Sequence, residues 1–141
     1  MMKYNLFLLI ASSLLLQAAS SPSNCFTTKY EVYIRSDLPS PLLNIHCFSK
    51  DDDLGYHDLA PKAEYRFAFC ENPLATLFSC HYKWNGKDKK FHAYDATTSY
   101  NRCNKGICYY IVKPDGFYFS NVYPPNQGRF LCDWNPTTPC K

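Results

Sequence analysis

The sequence predicts an all-β fold: a small, disulfide-stapled antiparallel β-sandwich of about eight strands. Three observations carry that prediction. Apolar and polar residues alternate over short runs, and clusters of Pro, Gly, Asn and Asp separate the runs. No stretch holds a 3.6-residue apolar period between capping residues, so helices are expected to be few and short. Eight cysteines in 141 residues form an even set, the signature of a small domain whose core is reinforced by bridges.

The elements read as follows. Residues 1–20 carry one positive charge at Lys3, an apolar run LFLLIASSLLL and a small-residue exit at Ala18 and Ser20. That is the build of a secretory signal peptide, and the apolar run is short for a membrane span. Residues 21–141 then form a single domain, exported to the extracellular space, with no later transmembrane segment. Residues 21–29 are an irregular lead-in. Residues 30–35 form a strand with Val32 and Ile34 on one face and Glu31, Tyr33 and Arg35 on the other. Residues 42–49 form the second, with Leu43, Ile45 and Cys47 inward. Residues 50–63 are polar and read as a long loop.

Residues 64–70 alternate clearly, with Phe67 and Phe69 facing Tyr65's side. Residues 76–84 place Phe78, Cys80, Tyr82 and Trp84 on one face and Ser79, His81 and Lys83 on the other. Asn85-Gly86 is a strong hairpin signal, because both residues tolerate positive φ. A strand follows around 91–94. Residues 106–113 and 117–121 flank a Pro-Asp-Gly turn, and 129–134 supply a last edge strand before a proline-bearing tail that cannot extend a ladder.

Charge and spacing exclude several classes. A formal charge of +3 with no basic stripe does not suit a nucleic-acid binder. Cys103 and Cys108 have no second Cys or His pair at finger spacing, so the cysteines predict disulfides and not zinc. No G-x-S-x-G and no phosphate-loop motif is present. Strand parity sets Cys47, Cys80 and Cys108 inward, with Cys103 at the mouth of the Cys108 strand. These four are expected to make two core bridges. Cys70 points the other way and is expected to pair with Cys25, Cys132 or Cys140.

Two features invite chemistry. His46, His57, His81 and His92 could in principle serve general acid-base transfer, with His46 or His81 the choice for a ribonuclease, but no spacing selects a pair. Asp51-Asp52-Asp53-Leu54-Gly55 holds three adjacent carboxylates. It departs from the calcium loop of an EF-hand, which needs Gly at position six and Glu at twelve; a solvated turn with an Asp side chain capping the loop backbone is the expected reading, and a different Ca²⁺ geometry the lesser alternative. No catalytic residue, metal ligand or cofactor is assigned.

The ordered motifs resemble a known family. They are Val32-x-Ile34, His46-Cys47-Phe48-Ser49-Lys50-Asp51-Asp52-Asp53-Leu54-Gly55, Leu59-x-Pro61, Tyr65-x-Phe67-x-Phe69, Thr76-Leu77-Phe78-Ser79-Cys80-His81-Tyr82-x-Trp84, Phe91-x-x-Tyr94, Cys103, Cys108 and Asp115-Gly116-Phe117-Tyr118. Together they look like the plant self-incompatibility proteins, also called S-protein homologues, over residues 28–134. The resemblance implies a secreted β-sandwich without enzymatic activity, whose poppy-type members are pistil ligands of a pollen surface receptor. It also implies that the family's core cysteines fall on Cys47, Cys80, Cys103 and Cys108. Tyr110 stands where the family commonly has Trp, the usual glycosylation sequon is missing, and Cys25, Cys70, Cys132 and Cys140 are additions.

The expected activity is therefore that of a monomeric, non-enzymatic signalling ligand of a plasma-membrane receptor, with no nucleic-acid partner. A secreted defence or toxin-like protein, a wall-structural protein and a histidine ribonuclease are the alternatives. The expected receptor surface is loop-built. It comprises Asp51, Asp52, Asp53, Leu54, Gly55, Tyr56, His57 and Asp58, with Lys87, Lys89 and Lys90 of the 85–90 turn as a second patch.

Overall fold

The computed structural model describes residues 24–98 and 102–141; the expected signal peptide lies outside the described residues. Nine strands form two sheets: β1 (Lys29–Ser36), β2 (Leu43–Phe48), β3 (Asp53–Leu59), β4 (Glu64–Cys70), β5 (Leu77–Trp84), β6 (Lys87–Asp95), β7 (Ile107–Lys113), β8 (Gly116–Ser120) and β9 (Arg129–Cys132). One sheet runs β4-β1-β7-β8-β9 and the other β3-β2-β5-β6. The pairing is antiparallel except between β1 and β7, which run parallel. Among the described residues no helix is long and apolar enough to cross a membrane.

The core is the space between the sheets, and strand parity fills it. Val32 and Ile34 from β1, Ile45 and Cys47 from β2, Tyr82 from β5 and Tyr110 and Val112 from β7 are all buried there. Aromatic rings dominate the contacts. Phe117 meets Tyr82 at 5.0 Å, Phe91 at 5.2 Å and Trp134 at 4.7 Å between ring centroids. Such pairs add about 1 kcal/mol each beyond the area they bury. Two polar tips bond backbone carbonyls: Tyr110 donates to that of Ala93 at 2.6 Å, and Trp134 to that of Lys113 at 2.9 Å, whereas the buried Tyr82 hydroxyl has no such partner among the described residues.

The Asn85-Gly86 hairpin forms as expected, with φ of 49° and 77° joining Trp84 to Lys87. Gly116 is required for another reason. A Cβ there would overlap the carbonyl oxygen of Cys132, where β9 closes on the β7–β8 turn.

Two expectations need correction. The 50–63 segment is not a long loop. Residues 53–59 form strand β3, paired with β2 from Phe48↔Asp53 to Leu43↔Leu59. Its alternation was hidden because an edge strand keeps few apolar residues, one inward position is His57, and an irregularity near Gly55 (φ 80°) shifts the register. Ser49 to Asp52 alone make the turn, where the Ser49 amide donates to the Asp52 carbonyl at 2.7 Å. The second correction concerns the 85–90 turn, which spans only Asn85 and Gly86 between the strands. Lys87, Lys89 and Lys90 lie in β6.

All eight cysteines are bridged: Cys25–Cys70, Cys47–Cys80, Cys103–Cys108 and Cys132–Cys140. The core four pair among themselves, and Cys70 takes the lead-in cysteine of its three candidates. The Cys25–Cys70 and Cys47–Cys80 bridges close stretches of 45 and 33 residues. Each restricts the unfolded chain by roughly 4 kcal/mol in the loop-entropy picture.

Outside the core, the five-stranded sheet carries a second buried patch of Tyr33, Tyr109 and Ile111. Ion pairs cover it. Arg35 holds Asp37 through two bonds of 3.0 Å, and Arg66 holds Glu31 at 2.8 Å. Burial alone would raise both carboxyls. The Arg66 and Tyr33 hydrogen bonds at Glu31, and the Arg35 and Lys62 charges at Asp37, override it and hold both below the ordinary range.

A folded pKa below the unfolded one means that the folded state resists protonation. The stability from these pairs is then complete above the unfolded value of about 4 and is lost as pH falls through the folded value. Thermal scans should show a flat melting temperature from neutral pH down to about pH 5 and a decline below about pH 4. The gap between the wild type and Arg35→Ala should narrow in acid; a gap that stays constant contradicts the assignment. A second expectation concerns Lys89, whose buried ammonium donates to the carbonyls of Asn135 and Thr138, the latter at 2.7 Å. Lys89→Met should destabilise the fold by about 1–3 kcal/mol in urea titration and accelerate amide exchange in residues 133–141; unchanged exchange there contradicts the clamp.

Candidate functional site

The outward face of the β3-β2-β5-β6 sheet is built by the same parity that fills the core. Cys47 and Cys80 are opposed across β2 and β5, with Cα atoms 4.1 Å apart. Their sequence neighbours His46 and His81 are therefore opposed too, but on the outer side. Ordinary cross-strand geometry sets their Cβ atoms about 5 Å apart.

Each histidine has its own carboxylate. His46 Nε2 donates to Asp53 Oδ1 at 2.7 Å, and His81 Nε2 donates to Asp88. Asp53 comes from the neighbouring strand β3 and Asp88 from β6. Tyr56, directly opposite His46, stacks on it with ring centroids 4.1 Å apart and stays 69% exposed. Asn44 donates to Asp58 at 2.9 Å one step along the same strands. The result is an open surface whose side chains are held by neighbours before any partner arrives.

The expected receptor residues divide on this frame. Asp51, Asp52 and Asp53 are exposed at the β2–β3 end. Asp53 is already engaged: the Gly55 amide donates to it at 2.9 Å, and this bond and the His46 bond lower its pKa. Leu54 packs partly against the core. Gly55 takes the positive φ of the irregularity. Tyr56 and Asp58 face outward, whereas His57 turns in, donating to the Leu54 carbonyl at 2.8 Å and stacking on Tyr65 at 4.3 Å.

Lys87 and Lys90 are exposed on β6. Lys89 is not a surface residue: it is in phase with Phe91 and Ala93, is 1% exposed, and is the tail clamp described above. Burial pushes its pKa down, with Asp133 opposing. The acidic patch and the lysines thus sit on the two opposite edge strands of one sheet, with His46 and His81 between them. The outward parity of Asn44, His46, Ser79 and His81 was visible in the sequence. Their pairing, and the part of Asp88, required the register.

Among the described residues, no three His, Cys, Asp or Glu side chains gather in a metal-holding arrangement. A cleft at the β6–β9 side is lined by residues other than His46 and His81.

Comparison with known proteins agrees with the architecture. The family description "Plant self-incompatibility protein S1" matches residues 31–134. The chain is 33% identical over 130 residues to S-protein homolog 24 of Arabidopsis thaliana, covering 90% of this chain and 82% of that protein. It is 44% identical over 77 residues to S-protein homolog 5 of the same plant, covering 54% of this chain and 59% of that protein. With S-protein homologs 3 and 4 the match spans 36% and 63% of the relative. A solved structure reported as "SPH (Self-Incompatibility Protein Homologue) proteins, a widespread family of small, highly stable, secreted proteins from plants" shares the fold. Its TM-score is 0.55 at 19% identity, over 73% of this chain and 93% of that one. With the two sheets, the opposed cysteines and these matches in agreement, the chain belongs to the plant self-incompatibility protein S1 family, the S-protein homologues.

Proposed function

We propose that this chain is a secreted, non-enzymatic extracellular signalling ligand, recognised by a plasma-membrane receptor through the outer face of its four-stranded sheet. The observation that carries this reading is the pre-arranged row Tyr56, His46–Asp53 and His81–Asp88. Side chains already fixed lose little entropy when a partner docks. An exposed tyrosine beside them offers a rigid, amphipathic anchor. The acidic β2–β3 end and Lys90 of β6 give the face opposite charge at its two edges. That distribution orients a complementary surface during encounter and contributes mainly to on-rate and register. The export of the chain rests on its N-terminal signal and on the secreted character of the structural relative.

One observation favours a second reading, in which the opposed His46 and His81 act as an acid-base pair on a phosphodiester. Against it, the pair lies on an open sheet face, and each histidine is already bonded to its own carboxylate.

The test is saturable binding of the labelled, exported protein to intact plant cells. Tyr56→Ala and the double charge reversal Asp51→Lys, Asp52→Lys should each weaken binding about tenfold or more. Their melting temperatures should stay close to wild type, since both sites are exposed. Unchanged binding by both variants contradicts the receptor face. The wild type should show no ribonuclease activity; hydrolysis by the wild type that a His46→Asn, His81→Asn variant loses would establish the second reading instead.

A further inference from the structure

The family fold and the histidine face leave one large feature unused. Where β6 and β9 form the edges of their sheets, the tail beyond β9 folds back and walls a cleft of about 1490 Å³. Its lining includes Lys90 and His92 from β6, Arg102 from the β6–β7 connection, Arg129 from β9, and the amides of Asn126 and Gln127. Asp95 is the carboxylate at its margin, 3.8 Å from His92. The cleft is therefore cationic in a molecule whose overall charge is mild.

The cations are also pre-positioned. The guanidinium carbons of Arg102 and Arg129 lie 5.3 and 5.6 Å from the centroid of the same Phe119 ring. The Phe119 ring thus orders both guanidinium groups, and the planar fork of Arg129 suits bidentate carboxylate binding at low entropic cost. Asn126 accepts from the Gly128 amide through Oδ1, at 2.9 Å, which leaves its NH₂ group to donate to a ligand.

The shape and the wall chemistry narrow the ligand. The volume exceeds the roughly 300–1,000 Å³ usual for a single small molecule, so the cleft suits a segment of an extended chain. An acidic peptide adding as a strand would need free backbone on β6. There the His92 carbonyl accepts from Arg102 at 3.5 Å, so this acceptor is already taken. Pro136 and Pro139 in the wall supply no N–H. What remains are side-chain forks, ammonium groups, amides and the threonine-rich wall, the set that reads carboxylates and hydroxyls together.

We propose that this cleft binds a linear acidic oligosaccharide of uronate units, with Arg129 on a carboxylate, Lys90 at the rim and Asn126 on hydroxyls. The cleft shares only Lys90 with the expected receptor residues, and the proposal stands whether or not that face meets a receptor.

The experiment is calorimetric titration of the exported, fully bridged protein with a uronate hexasaccharide. Alongside it run the same hexasaccharide reduced to its neutral sugar, a hexaglutamate peptide and inorganic phosphate. The uronate chain should bind and weaken with added salt, and the neutral sugar should not bind. Arg129→Ala and Lys90→Ala should each lower affinity about fivefold to tenfold. Lys62→Ala, on the far side beside Asp37, should bind as the wild type. Urea titration of each variant checks that the fold is intact. No uronate binding in the millimolar range overturns the proposal. So does binding unchanged in both cleft variants, hexaglutamate binding as tightly as uronate, or phosphate binding alone.

Discussion

The pairing of β2 with β5 is the constraint on which the rest of this molecule depends. Cys47 faces Cys80 directly, and the bridge between them fixes the register of the four-stranded sheet at its centre. Side chains alternate across a strand, so that one choice sorts every neighbour. Ile45 and Tyr82 go into the core, and His46 and His81 go out. A slip of one residue would bury two histidines and expose the aromatic wall. The core and the candidate recognition face are thus two consequences of one register, and selection acting on either side also constrains the other.

The four added cysteines serve the periphery. Cys25–Cys70 ties the lead-in to β4, an edge strand of the five-stranded sheet, and Cys132–Cys140 turns the tail back beside β9. Lys89 completes the second of these arrangements by taking two tail carbonyls into a buried ammonium. A buried cation is tolerated only where such acceptors replace water. The tail so held becomes the wall of the cationic cleft. The tail beyond the family match, which ends at residue 134, is therefore also the segment that shapes the second candidate site.

Most of the fold was legible because the central strands alternate without interruption. Tyr82 and Trp84, or Val32 and Ile34, announce their face within a few residues, and Asn85-Gly86 announces its turn. The parallel pairing of β1 with β7 was not legible, since nothing in either strand encodes its direction. Strand β3 was hidden for a different reason. At an edge, with an irregularity at Gly55 and a histidine at an inward position, it lacks the apolar period that marks a strand. Lys89 illustrates the converse error. As one of three nearby lysines it reads as surface charge, yet its phase with Phe91 and Ala93 sends it inward, where acceptors more than forty residues away receive it. Residue type suggested the members of the site, but only register and long-range contacts decided which of them face a partner.

Peptide mapping of the exported protein under non-reducing conditions tests the central claim most directly. The account predicts four linked peptide pairs, joining Cys47 to Cys80, Cys103 to Cys108, Cys25 to Cys70 and Cys132 to Cys140. Eight cysteines allow 105 full pairings, so agreement by chance is improbable. A link from Cys47 or Cys80 to any other cysteine would contradict the β2–β5 register, and with it the placement of His46 and His81 on one outer face.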